Sequence, residues 1–96
     1  MRIRSYREGD LPELVTLWND ARQGGYEFIP YTEEKLRGTL KSAHSTLVAV
    51  GGDGSLLGFG LLKREWYGEE LRLCAQPGPQ GEEIEERLLR ALEEEA

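Results

Sequence analysis

Apolar and polar residues along this chain alternate in two rhythms, and the switches between them mark the elements. The clearest switch lies in residues 71–92, LRLCAQPGPQGEEIEERLLRAL. Leu71, Leu73 and Ala75 alternate with Arg72, Cys74 and Gln76, the period of two of a half-buried strand. Pro77, Gly78 and Pro79 stop that strand. From Glu82 onward the apolar residues fall at Ile84, Leu88, Leu89, Ala91 and Leu92, steps of three and four that put them on one helical face. The unit is strand, tight turn, helix.

The same patterns run upstream. Residues 2–7 alternate charged with apolar or small side chains, which predicts a first strand with Ile3 and Tyr6 or Ser5 toward the core. Asp10 followed by Glu13 has the layout of a capping box, and Pro12 suits a first helical turn. That helix continues through Leu11, Leu14, Val15, Trp18 and Ala21 or Arg22, and Gly24-Gly25 ends it. Thr32 caps a second helix, with Glu33 and Glu34 in its first turn and Leu36, Leu40 and Ala43 inward. His44 lies just past its end, where the helix dipole favours it as a surface cap over a catalytic base. Residues 46–50 and 56–63 are β-prone runs joined by GGDGS, a hairpin. Gly58 and Gly60 leave one face of the second run bare, which suits close approach of a helix or neighbouring backbone. Residues 64–68 bend the chain, with Trp66 and Tyr67 near the bend, into the last strand. The result is one α/β (α+β) domain over residues 1–96, in the order strand, two helices, three strands, helix, with a mostly antiparallel sheet and helices packed on it.

Composition narrows what such a domain does. With 96 residues, 39% hydrophobic and 31% charged, there is room for one thin core in an ordinary globular chain. The apolar run at 56–62 is too short to cross a bilayer and no signal segment precedes the fold, so the expectation is a cytoplasmic protein without membrane partners. The net charge is −6. It comes largely from seven glutamates after residue 81, set against Arg87 and Arg90, the opposite sign from a nucleic-acid binder. A single cysteine, Cys74, and a single histidine, His44, exclude an internal disulfide and support neither structural zinc nor Ser-His-Asp chemistry. No catalytic residue and no metal ligand is nominated. The aromatic run at 26–31 (YEFIPY) either lines a pocket with Tyr26, Phe28 and Tyr31 or seals a small core, and the thin core favours sealing.

A turn feeding a helix start points several backbone N–H groups and the positive end of the helix dipole at one spot, a ready place for an anion. Residues 77–92 resemble the central motif of the GNAT acyl-CoA N-acetyltransferases, R/Q-x-x-G-x-G/A after the fourth strand. Gln80 takes the first position, Ile84 the apolar one, and Arg87, Leu88 and Leu89 the helix continuation. Residues 4–14, RSYREGDLPEL, resemble the family's first strand and helix, and the element order matches the first half of a GNAT domain across nearly the whole chain. The resemblance implies acetyl-CoA as cofactor, with fourth-strand backbone at Cys74 and Ala75 holding the acetyl carbonyl, and Gln80, Gly81, Glu82 and Ile84 forming the pyrophosphate turn. It also implies that the loop at 26–31 helps shape the acceptor cleft. Glu69 or Glu70 is the base such a family member would use, although a solvated strand-end charge is the commoner role.

Two departures shape the expectation. Glu83 and Glu85 stand at the motif's two glycine positions, where a side chain obstructs a diphosphate and a carboxylate repels it. One like-charge pair at ~5 Å costs on the order of 1 kcal/mol in water-like surroundings and several times that in a sheltered site. The same glutamates stabilise their own helix start through the dipole. The family's fifth strand, fourth helix and last two strands also have no counterpart in these residues. The reading is a half GNAT-like domain, not catalytic alone, acting as a dimerising or partner-dependent module, with a homodimer through the fourth-strand region. The alternative is an active acetyl-CoA-dependent N-acetyltransferase of amines whose cleft is completed by a second subunit or further chain.

Overall fold

The computed structural model describes residues 1–22, 32–76 and 78–95. Strand β1 (Arg2–Ser5) leads through a 3-10 turn at Glu8–Asp10 into α1 (Leu11–Arg22). Then come α2 (Glu33–Lys41), β2 (Ser45–Val50), β3 (Leu56–Glu65), β4 (Gly68–Ala75) and α3 (Gly81–Glu95). The four strands form one antiparallel sheet in the order β1-β2-β3-β4. This is the predicted mixed architecture. The helix end at Gly24-Gly25, the aromatic run at 26–31 and Pro77 lie outside the described residues.

Helices cover both faces of the sheet, so the strands read as nearly continuous apolar runs where a half-exposed sheet would alternate. On one face Val48, Val50, Phe59, Leu61 and Cys74 pack against Leu11, Leu14, Leu17 and Trp18 of α1 and Leu36 and Leu40 of α2. On the other, Leu47, Ala49 and Leu62 pack against Ile84, Leu88 and Leu92 of α3. The predicted inward residues of all three helices are buried or half-buried wherever their side chains are described, and Leu17 joins them because α1 touches both the sheet and α2. For β4 the alternation misleads. Leu73 and Ala75 are half-buried on the α3 side and Leu71 is 41% exposed, while Cys74, assigned to the polar set, is buried under α1.

The bare face of β3 is where α3 sits. A Cβ at Gly58 would lie 2.6 Å from the Cys74 carbonyl oxygen and 2.8 Å from Ile84 Cγ2. One at Gly60 would lie 2.8 Å from Leu92 Cδ1 and 2.9 Å from Leu73 Cδ2. Two glycines two residues apart thus seat both ends of the buried stripe of α3 directly on the strand.

The predicted capping box of Asp10 and Glu13 takes a different form. The Asp10 carboxylate accepts the Arg7 N–H at 2.9 Å and a bidentate pair from the Arg4 guanidinium at 2.8 and 2.9 Å, tying β1 to the 3-10 turn. Glu13 reaches away from its own helix and accepts the Leu56 N–H at 3.1 Å, where β3 begins. Thr32 caps α2 as predicted, its hydroxyl accepting the Lys35 N–H.

Two outcomes follow from this packing. Gly58→Ala drives a methyl into backbone and costs about 1–3 kcal/mol. Gly60→Ala, which meets only the ends of leucine side chains, costs less, and Gly52→Ala, with open space around it, is near neutral. Thermal melts should rank the three in that order, Gly58→Ala falling by roughly 4–8 °C per kcal/mol. The second outcome concerns acid. The Arg4 guanidinium and the Arg7 N–H hold the Asp10 carboxyl below the usual carboxylate range. A lowered folded value means the unfolded chain binds the proton first, so this stabilisation is full above the ordinary carboxylate range and is lost as pH falls through the depressed value. Asp10→Asn should cost about 1.5–3 kcal/mol near pH 7, and urea midpoints of parent and variant should converge as pH falls toward 2.

Candidate functional site

Strand β4 ends at Ala75, and the turn into α3 is built by its glycines. Gly78 has φ 143°, a conformation that favours glycine, and its carbonyl accepts the Gly81 N–H at 3.2 Å. The Ile84 N–H returns to the Gln80 carbonyl at 3.0 Å. With Gly81 and Ile84 engaged, the first-turn donors that a helix leaves without intrahelical partners are those of Glu82 and Glu83.

The β3/β4 ladder decides which groups of β4 are open. The Gln76 N–H donates to the Leu57 carbonyl at 2.7 Å, one step beyond the Gly58–Ala75 pair in an unbroken register. In an antiparallel ladder bonded and non-bonded pairs alternate. The even-numbered residues of β4 therefore direct their backbone groups to β3, and Glu69, Leu71, Leu73 and Ala75 direct theirs outward. Cys74 and Ala75 consequently differ. The Cys74 backbone is bound into the ladder, and its thiol lies 3.9 Å from the Leu17 carbonyl oxygen. Ala75 lies in the same ladder but directs its backbone groups to the open edge. Among the described residues no strand lies beside β4 on that side.

Of the other nominated residues, Ile84 is buried against Gly58, while the Gln80 and Glu82 side chains are exposed. A hollow of about 220 Å³ adjoins this turn, lined by Met1, Leu57, Gln80, Glu83, Ile84 and Arg87. It brings together two predicted site residues, Gln80 and Ile84, with Leu57 and Met1, which the motif did not single out. Leu57 comes there through a register shift of β3 against β2 beside Val50. The adjacent pair Leu56-Leu57 is the signal that could have marked it.

The charges around the turn are mostly negative. Glu82, Glu83, Glu85 and Glu86 crowd two turns of α3, and among the described residues only Glu86 is matched, by Arg90 at 2.7 Å. Arg87 makes no ion pair among the described residues. Glu69 lies 3.5 Å from Arg64 and Glu70 3.0 Å from Arg72, both at the solvated start of β4. His44 is exposed, its N–H donating to the Leu62 carbonyl at 2.7 Å. No group of three or more potential metal ligands occurs among the described residues.

This arrangement of sheet, turn and helix is shared with solved structures. An N-acetyltransferase from Staphylococcus aureus Mu50 matches with TM-score 0.79 and 23% identity over 95% of this chain. The chain has the GNAT fold, in part. A GNAT superfamily phosphinothricin acetyltransferase from Sinorhizobium meliloti, in complex with AcCoA, matches with TM-score 0.80 and 16% identity over 95% of the chain. A GNAT family acetyltransferase from Brucella melitensis, in complex with acetyl-CoA, gives TM-score 0.76 and 23% identity over 98%. The chain spans 62%, 56% and 66% of those three proteins in turn. No protein-family model and no curated protein matches the sequence. At these identities it is the GNAT fold that is shared. No helix among the described residues is long and apolar enough to cross a membrane.

The residues at the turn do not fit a diphosphate. Glu83 and Glu85 stand where the resembled motif has small residues, and the first-turn carboxylates without an ion pair among the described residues repel a diphosphate. Replacing Glu83 and Glu85 together by glycine removes two charges and two side chains from the turn, at up to ~1 kcal/mol of helix propensity each. The double variant should bind coenzyme A more tightly than the parent in calorimetry. An unchanged affinity would mean that the side chains and charge at Glu83 and Glu85 do not limit binding.

Proposed function

We propose that this chain is a GNAT-fold module that does not transfer acetyl groups alone and works as one half of an assembly, joined to a second copy along β4. The carrying observation is the open edge. Glu69, Leu71, Leu73 and Ala75 turn their backbone groups outward with no neighbouring strand among the described residues, and Leu71 is 41% exposed. An edge with unpaired donors and acceptors and apolar side chains pairs readily with another strand. A twofold arrangement covers two such edges with one interface. The crowded carboxylates of α3 support the absence of independent catalysis. A single cysteine in the sequence suits a reducing cytoplasm, and the net charge of −6 disfavours nucleic acid.

A second reading has its own observation. Ala75 presents its outward N–H beside the start of α3, and the similar proteins from S. meliloti and B. melitensis hold acetyl-CoA. On this reading the chain is an acetyl-CoA-dependent N-acetyltransferase of amines, with its cleft completed by a second subunit or further chain.

Light scattering at micromolar concentration separates the two when paired with thermal melts. The module should report about twice the 10.9 kDa chain mass, and Leu73→Lys should shift it toward monomer or aggregate. Its melting temperature should not move with acetyl-CoA. A ligand at a hundred times its dissociation constant adds about 2.7 kcal/mol, a rise of several degrees that would favour the enzyme. A monomeric parent whose β4 amides exchange slowly would overturn the module.

A further inference from the structure

We propose that the Asp53-Gly54 step of the β2-β3 turn is a site of spontaneous isoaspartate formation, and that Ser55 suppresses the conversion by holding the Asp53 carboxylate. The inference concerns the covalent integrity of the fold and holds for a single copy and a dimer alike.

The sequence contains one Asp-Gly step. At such a step the Gly54 nitrogen attacks the Asp53 Cγ while the carboxyl is in its acid form. A nitrogen–carbon bond forms, a carbon–oxygen bond breaks, and the amide hydrogen leaves with the carboxyl hydroxyl as water. Water then opens the five-membered imide at one of its two carbonyls. The product is either aspartate again or an isoaspartate, whose main chain runs through the side-chain carbon. Glycine favours the attack because no side chain hinders its nitrogen. The surroundings add no hindrance. Residues 52–55 are exposed, and a Cβ on Gly52 or Gly54 would meet nothing within 4 Å.

Hydrogen bonds inside the turn oppose the reaction. The Gly54 N–H donates to the Gly51 carbonyl at 3.0 Å and the Gly51 N–H to the Ser55 carbonyl at 2.8 Å. The attacking nitrogen is therefore the one that closes a β-turn. One Asp53 carboxylate oxygen accepts both the Ser55 N–H at 3.0 Å and the Ser55 hydroxyl at 2.7 Å. Ring closure consumes the Gly54 N–H and turns the carboxylate into a neutral imide carbonyl, a weaker acceptor for Ser55. The Ser55 hydroxyl and N–H also hold the Asp53 carboxyl below the usual carboxylate range, which depletes the acid form that reacts. Of these contacts only the hydroxyl bond depends on which side chain stands at 55. Ser55 is thus a positioning residue for the turn.

Conversion would reach the core. An isoaspartate at 53 adds a methylene to the main chain of a turn whose ends are fixed by the Val50–Leu56 pair. Turn geometry sets strand register, and Val50 and Leu56 are both buried.

Peptide mapping of the folded protein, held for weeks at neutral pH, tests the proposal. Isoaspartate reads as a second peak of unchanged mass that endoproteinase Asp-N does not cut before residue 53. The parent should convert at least about tenfold more slowly than the chain unfolded in urea, and Ser55→Ala about tenfold faster than the parent, the contribution of one hydrogen bond to a charged group. Ser55→Thr keeps the hydroxyl and should match the parent. Gly52→Ala, in the same turn but remote from that bond, should match it as well. A parent that converts as fast as the unfolded chain overturns the proposal, as does an unfolded chain without isoaspartate at 53. Ser55→Ala at the parent's rate, or Gly52→Ala as fast as Ser55→Ala, overturns the role of the hydroxyl.

Discussion

The close approach of α3 to β3 is the constraint on which the other features depend. At Gly58 the helix brings Ile84 to where any side chain on the strand would stand, and at Gly60 it does so with Leu92. Closing that distance buries Ile84, Leu88 and Leu92 in one stripe. It also sets the start of the helix beside the end of β4, next to the turn at 78–81. The site geometry is therefore set by two absent side chains several residues away from it.

The element order, the helix faces and the role of Gly58 and Gly60 were legible in the sequence, because each rests on a local period or a local gap. What was not legible depends on the second layer. Cys74 falls in the polar phase of its strand yet is buried, since α1 covers the face that period-two reading assigns to solvent. Asp10 and Glu13 have the spacing of a cap, but Arg4 and the N–H of Leu56 compete for their carboxylates from elsewhere in the chain. Leu57 enters the hollow by a shift in strand register, which is set by the partner strand. Of the candidate site, Gln80 and Ile84 were found by motif, whereas the distinction between Cys74 and Ala75 needs the ladder.

Two features near the site pull in different directions. The open flank of β4 offers hydrogen-bonding groups in the spacing that an extended chain or a strand can use. The first turns of α3 offer a dipole that favours an anion and carboxylates that already occupy that role. The strand side of the site is thus receptive, while the helix side already carries negative charge of its own.

The sheet also partitions the interior. Leu11, Leu14, Trp18, Leu36 and Phe59 belong to one apolar cluster and Ile84, Leu88 and Leu92 to another, with the strands as a wall between them. The residues that hold the C-terminal helix are thus distinct from those that hold α1 and α2. Without that helix Leu47, Ala49 and Leu62 would lose their cover and the turn at 78–81 its support. The turn beside β4 thus depends on the packing of one helix on one face of the sheet.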